Sequence, residues 1–153
     1  MFFVGCEQSK PTHTIRFYPE TVTTGNAFSR TVTMPESKID FVVTRQPVIW
    51  EAHVEGVDLV KVASGHLALR FQFDDYGMRE LYRQSVAKMG RRMITEINGK
   101  PMGVRQFDGA LADGVYFTFM EMDEEELTEL TGKLKDNIEI IKELKGKGLL
   151  GRG

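Results

Sequence analysis

The hydrophobic positions along residues 67–134 change period twice, from two to about 3.6 and back. Leu67, Leu69, Phe71 and Phe73 alternate with Ala68, Arg70 and Gln72, which predicts a strand with one apolar face. Met78, Leu81, Tyr82, Ser85, Val86 and Met89 then share one helical stripe, and Gly90 follows as the stop. Asn98-Gly99, two residues that tolerate positive φ, predicts a tight hairpin. A further strand leads to Asp123, which with Glu126 three residues on forms a capping-box variant. The second helix that this opens carries Leu127, Leu130, Leu134, Ile138, Ile141 and Leu144 on one stripe. The expected fold is therefore α+β: a mixed or antiparallel sheet with two helices on one face, in the order βαββα.

Upstream, Thr14–Tyr18, Thr31–Met34 and Ile39–Thr44 alternate as short strands, with a turn at Pro35-Glu36-Ser37. Pro47 breaks pairing before Val48-Ile49-Trp50, where Trp50 is expected to plug the core. Residues Glu51–Asp58 read as an irregular connection, followed by a hairpin turning at Ser64-Gly65. The expected organisation is a tether over 1–12, a strand-rich lobe over 13–58, an α+β domain over 59–145 and a flexible tail over 146–153.

Composition narrows the function. With 20 basic and 22 acidic residues the net charge is −2, so no electrostatic footprint for nucleic acid exists. No apolar run reaches the roughly 18–20 residues that cross a bilayer. The single cysteine, Cys6, excludes an intrachain disulfide and stands in a tail with no positioned base.

Candidate chemistry is sparse. His13, His53 and His66 are scattered without a metal-ligand spacing. His53 with Glu51, Glu55 and Asp58 forms the one mixed cluster, readable as a weak metal or acid/base site or as a solvated connection. Asp74-Asp75 and the acidic run from Asp123 to Glu126 complement helix N-termini. Asp108 and Asp113, beside Gly109 and Gly114, suit turns. Arg91-Arg92 either holds a carboxylate or a passing backbone, or closes the first helix. The methionines fit either core gaps or an adaptable apolar groove. No Gly-rich phosphate loop or nucleophile elbow is present. The expectation is a protein without enzymatic activity, cofactor or metal.

Met1-Phe-Phe-Val-Gly-Cys6 resembles the end of a bacterial lipoprotein signal peptide, which implies Cys6 as the lipid attachment residue. The other reading is an untethered tail with an incidental thiol. The segment from Gly77 to Leu134 resembles part of the SecD protein-export family, the compact α+β subdomain of its first large periplasmic region. The landmarks are Gly77, Leu81, Gly90-Arg91-Arg92, Ile94, Asn98-Gly99, Asp113-Gly114, Phe117, and Glu125-Glu126 ahead of Leu130. Met102-Gly103-Val104 departs from that family's small and Pro-rich residues after the hairpin, and its transmembrane helices have no counterpart here. The resemblance implies an extracytoplasmic location, and with Cys6 a lipid-anchored domain binding protein or peptide, linked to export. The alternatives are a small-molecule-binding sensor on the same scaffold and a structural envelope module assembling through an edge strand.

Overall fold

A computed structural model describes residues 10–22 and 27–148. Its strands are β1 (Ile15–Pro19), β2 (Ser29–Thr33), β3 (Asp40–Thr44), β4 (Ile49–Trp50), β5 (Val54–Lys61), β6 (Leu67–Phe73), β7 (Arg92–Ile97), β8 (Lys100–Gln106) and β9 (Val115–Met120). Helix α1 spans Asp75–Ala87 and α2 spans Glu124–Gly146. Seven strands form one sheet in the order β4-β1-β7-β8-β9-β6-β5, and β2-β3 form a second. Every pairing is antiparallel, so of the two sheet types expected the antiparallel one is realised. The expected series of strand, helix, hairpin, strand and helix is β6, α1, β7-β8, β9 and α2.

The two faces of the large sheet carry different covers. One face joins Phe17, Leu69, Phe71, Met93 and Tyr116 to Leu81 of α1 and Leu127, Leu134 and Ile138 of α2 in one core. The other face presents Tyr18, Ile94 and Val104 to Val32, Met34, Phe41 and Val43 of the β2-β3 hairpin. Polar contacts fasten that hairpin: Arg30 lies over the Tyr18 ring at 4.4 Å and donates to buried Glu96 at 2.7 Å. Asn98 and Gly99 have φ of 55° and 80°, the two positive values a type I′ turn between β7 and β8 requires. The Asp123 side chain accepts from the Glu126 amide and so caps α2 as the acidic run anticipates.

Three local expectations need correction. Glu51–Asp58 is not an irregular connection: a single 3-10 turn over Glu51–His53 runs directly into β5. A bulge between Val54 and Gly56 breaks the alternation there, which hides the strand in the pattern. Trp50 is half-buried and packs edge-on to His53 and Tyr76 instead of plugging the main core. The third concerns the rotation of α1. Gly77, Glu80, Leu81 and Ser85 are the buried positions, while Tyr82, Val86 and Met89 are 49%, 47% and 51% exposed. A Cβ on Gly77 would stand 2.6 Å from the Phe73 Cβ, so the missing side chain lets the helix seat against β6. That contact fixes 77, 81 and 85 inward and turns the neighbouring stripe, about 100° around the helix, outward.

Gly103 marks a second close approach. A Cβ there would lie 2.5 Å from Thr118 Oγ1 and 2.9 Å from Met120 Sδ. Gly103→Ala is expected to force those buried side chains aside and cost about 1–3 kcal/mol, measured as a lower urea midpoint at unchanged m-value.

Candidate functional site

The outward stripe of α1 and the loop between β8 and β9 enclose an apolar groove of about 720 Å³. Met78, Tyr82, Val86 and Ala87 supply the helix side, Ala112 the loop side, and Arg79 and Arg83 the rim. Local chemistry places each wall. Ser85 is buried beneath the stripe; its hydroxyl donates to the Tyr82 carbonyl and accepts from the Leu111 amide, both at 2.9 Å. That bond draws the loop against α1 and positions Ala112. Gly114, at φ 75°, closes the loop against Met78, and its carbonyl accepts from the Phe73 amide.

The rim is asymmetric in charge. Arg83 is held by Glu80 through contacts of 2.6, 2.9 and 3.2 Å, and Gln84 also donates to that carboxylate. Arg79 makes no ion pair among the described residues, leaving one uncompensated cation beside the apolar floor. An apolar floor of this kind gains free energy when another apolar surface covers it and excludes water.

The mixed histidine cluster does not assemble. Glu51 turns to β1, accepting from the Ile15 amide at 3.1 Å and pairing with Arg16 at 3.7 Å. Asp58 pairs with Arg70 at 2.9 Å and Lys135 at 3.7 Å. Glu55 faces the cleft between β5 and α2. His53 is buried and bonds instead to Asp74, Nδ1 to Oδ2 at 3.0 Å, with Tyr76 stacked on its ring. Asp74 also accepts from the Gly77 amide as the cap of α1 and pairs with Lys145 of α2 at 3.5 Å. Lys145 donates in turn to the Ala52 carbonyl. His53 Nε2 is buried without a partner among the described residues, while Asp74 stays partly exposed, and the pair works as a joint between α1, α2 and the 3-10 turn.

Partial burial pushes the Asp74 carboxyl up, but the Gly77 amide, His53 and Lys145 outweigh it and hold it below the ordinary 3.8. A carboxylate depressed in the folded state stabilises the fold above its unfolded value, and that stability is lost as pH falls through the folded one. Urea midpoints followed below about pH 4 should therefore fall less steeply for Asp74→Asn than for the unaltered protein. The amide keeps the cap, so the difference isolates the charge.

The remaining candidates are structural in position. Arg92 lies over the Phe41 ring at 5.4 Å and pairs with Glu20 at 3.6 Å, and the Arg91 amide bonds to the Lys88 carbonyl behind α1. His13 bonds through Nδ1 to Asn98, and His66 to Ser64. Asp113 accepts from the Val115 amide, and Asp108 lies 3.9 Å from Arg105. Among the methionines, Met93 and Met120 fill the core while Met78 lines the groove. Among the described residues, no three His, Cys, Asp or Glu side chains gather as a metal site. Nor is any described helix long and apolar enough to cross a membrane. The attachment expected at Cys6 falls outside the described residues.

No family model matches the chain, and no curated protein matches it in sequence. Solved structures similar in fold include two of SecDF. A crystal structure of SecDF in its super-membrane-facing form superposes with a TM-score of 0.59 at 12% identity, covering 83% of this chain and 18% of the SecDF chain. A structure of SecDF described as a membrane component that enhances protein export gives 0.57 at 10%, covering 83% of this chain and 62% of the other. This chain thus corresponds to less than two thirds of either SecDF chain. At these identities the likeness is one of fold, and that fold is SecD-like, as the turn and cap residues lead one to expect.

Proposed function

We propose that this chain is a non-enzymatic, extracytoplasmic domain that binds polypeptide in the bacterial envelope in support of protein export. The observation that carries the reading is the outward stripe of exposed Tyr82 and Val86, continued by half-buried Met78, over an apolar groove. Helix burial does not account for apolar side chains left facing solvent at 82 and 86; a partner with apolar side chains does. The likeness to SecDF supports the export context, since one SecDF is described as enhancing protein export. The sequence Val4-Gly5-Cys6 supports a lipid anchor on the same side of the membrane. In the natural host, Cys6→Ser is expected to move the protein from the membrane fraction to the soluble one; unchanged fractionation removes the anchor.

A small-molecule sensor is the second reading, because about 720 Å³ lies within the size range of ligand pockets. The side chains of the groove wall offer two guanidinium groups and the Tyr82 hydroxyl as polar anchors, and one guanidinium is already engaged. Fluorescence anisotropy with a permanently unfolded, labelled polypeptide separates the two. Polypeptide binding is expected for the unfolded chain and absent for its folded counterpart. Equal indifference to both, with binding of a small apolar dye at the groove, favours the sensor.

A further inference from the structure

The α1 groove differs from one end to the other. Arg79 and Tyr82 lie three residues apart on α1, which makes them neighbours on the helix surface. They line the groove toward the start of the helix, whereas Val86 and Ala87 line it at the last turn and carry no polar side-chain atom. The donors at the first end are unused. Arg79 is exposed and makes no hydrogen bond or ion pair among the described residues, and the Tyr82 hydroxyl likewise has no partner among them.

Arg83, between the two ends, is in a different state. Glu80 holds it by contacts of 2.6, 2.9 and 3.2 Å, and Gln84 donates to the same carboxylate at 3.1 Å. That pair is neutral as a unit and tied back along its own helix. The carboxylates nearest in sequence leave Arg79 free. Asp75, four residues earlier and so spaced to neutralise it, makes no ion pair with it. Asp113, next to Ala112, accepts from the Val115 amide at 3.1 Å, and neither it nor Asp75 lines the groove. An apolar floor with a free guanidinium and a free phenol at one end matches an occupant that is apolar over most of its length and carries a carboxylate at one end.

We propose that the α1 groove selects polypeptide segments in which a run of apolar side chains is flanked by Asp or Glu. The apolar side chains cover Val86, Ala87 and Ala112, and the carboxylate accepts from Arg79 and from the Tyr82 hydroxyl. Selection of this kind rests on the groove's role as a polypeptide site and adds a direction to it: the acidic flank of the segment lies over the first turns of α1.

The test uses the full chain and three synthetic peptides capped at both termini, each with the same apolar core flanked on one side by Glu, Gln or Lys. Affinity from calorimetric titration is the readout, with melting temperature as the control on folding. The Glu peptide is expected to bind about fivefold or more tighter than the Gln peptide, and the Lys peptide more weakly than either. Arg79→Gln should bring the Glu and Gln peptides together, and Arg79→Glu should make the Lys peptide the preferred one. Neither change should lower the melting temperature, because Arg79 is exposed and unpaired among the described residues. Tyr82→Phe should weaken the Glu peptide more than the Gln peptide. Lys100→Gln, the same change of charge at the start of β8, should leave the preference intact, which separates a seated carboxylate from attraction to net charge. Equal affinity for the three peptides, lost in Val86→Asp, overturns the acidic preference and leaves the groove as a polypeptide site. A Glu preference that survives Arg79→Gln overturns it as well. Binding of none of the peptides, or binding of the Gln peptide indifferent to Val86→Asp, removes the groove itself as the site and the preference with it.

Discussion

Val86→Asp is expected to weaken binding of an unfolded polypeptide at least about thirtyfold, the ~2 kcal/mol scale of an interface hot spot, while the protein stays folded. Both halves of that expectation come from the rotation of α1. Val86 lies on the outward stripe, about half exposed, so a carboxylate there is solvated in the free protein and costs the fold little. On binding, the same carboxylate must be covered by an apolar segment; Arg83, three residues away on the helix, is already engaged by Glu80, which leaves Arg79 at the rim as the one cation able to offset part of that cost. Leu81→Asp, one step around the helix, is expected to unfold the protein, because Leu81 is fully buried. Calorimetric titration of Val86→Asp alongside its thermal melt reads both quantities. A variant that binds normally removes the groove from the function. A variant that melts early assigns the stripe a structural role instead.

The second large effect is on stability. Phe17 in β1 is fully buried, and its ring stands edge-on to Phe71 and Phe73 at 5.2 Å and to Tyr116 at 5.8 Å. Phe17→Ala removes an aromatic side chain from among the rings of Phe71 and Phe73 of β6 and Tyr116 of β9 and leaves a cavity there. The expected loss is about 3–5 kcal/mol, read from urea unfolding. Against a typical stability of roughly 5–15 kcal/mol, this is enough to leave a marginal domain partly unfolded. Phe17→Leu, which leaves a smaller void, should retain the fold and lose distinctly less. Equal losses for the two variants would show that the site collapses and that the aromatic cluster is not the keystone described.

Much of the βαββα unit was legible because its signals are local. Asn98-Gly99 must take positive φ, and Asp123 sits where a side-chain acceptor is needed, so both are set by neighbouring residues. What was not legible depends on long-range packing. Periodicity alone gathers Leu81, Tyr82, Val86 and Met89 into one broad stripe, since all are apolar and adjacent on the helix. The decision between its two halves is made by Gly77, which permits contact with Phe73, and by Ser85, whose hydroxyl ties down Leu111. The Gly77, Leu81, Ser85 series of small and medium side chains was the available sign that this half faces the sheet. The destination of β1 is another case. Its alternation is plain, but only the folded sheet shows it beside β7, with Ile15 opposite Ile97. The His53–Asp74 bond spans 21 residues and two elements, so no spacing rule connects them. The acidic neighbours of His53 in the sequence misdirect, because β5 leads Asp58 away to Arg70 and Lys135.

Whether the outward stripe of α1 is a polypeptide-binding surface decides the proposed function. Its most direct measurement is a proton–nitrogen correlation titration of the protein with a permanently unfolded polypeptide. Progressive, saturable shifts are expected at Met78, Tyr82, Val86, Ala87 and Ala112, with Leu134 and Ile138 in the covered core of α2 undisturbed. Saturable binding with those five resonances unmoved would contradict it.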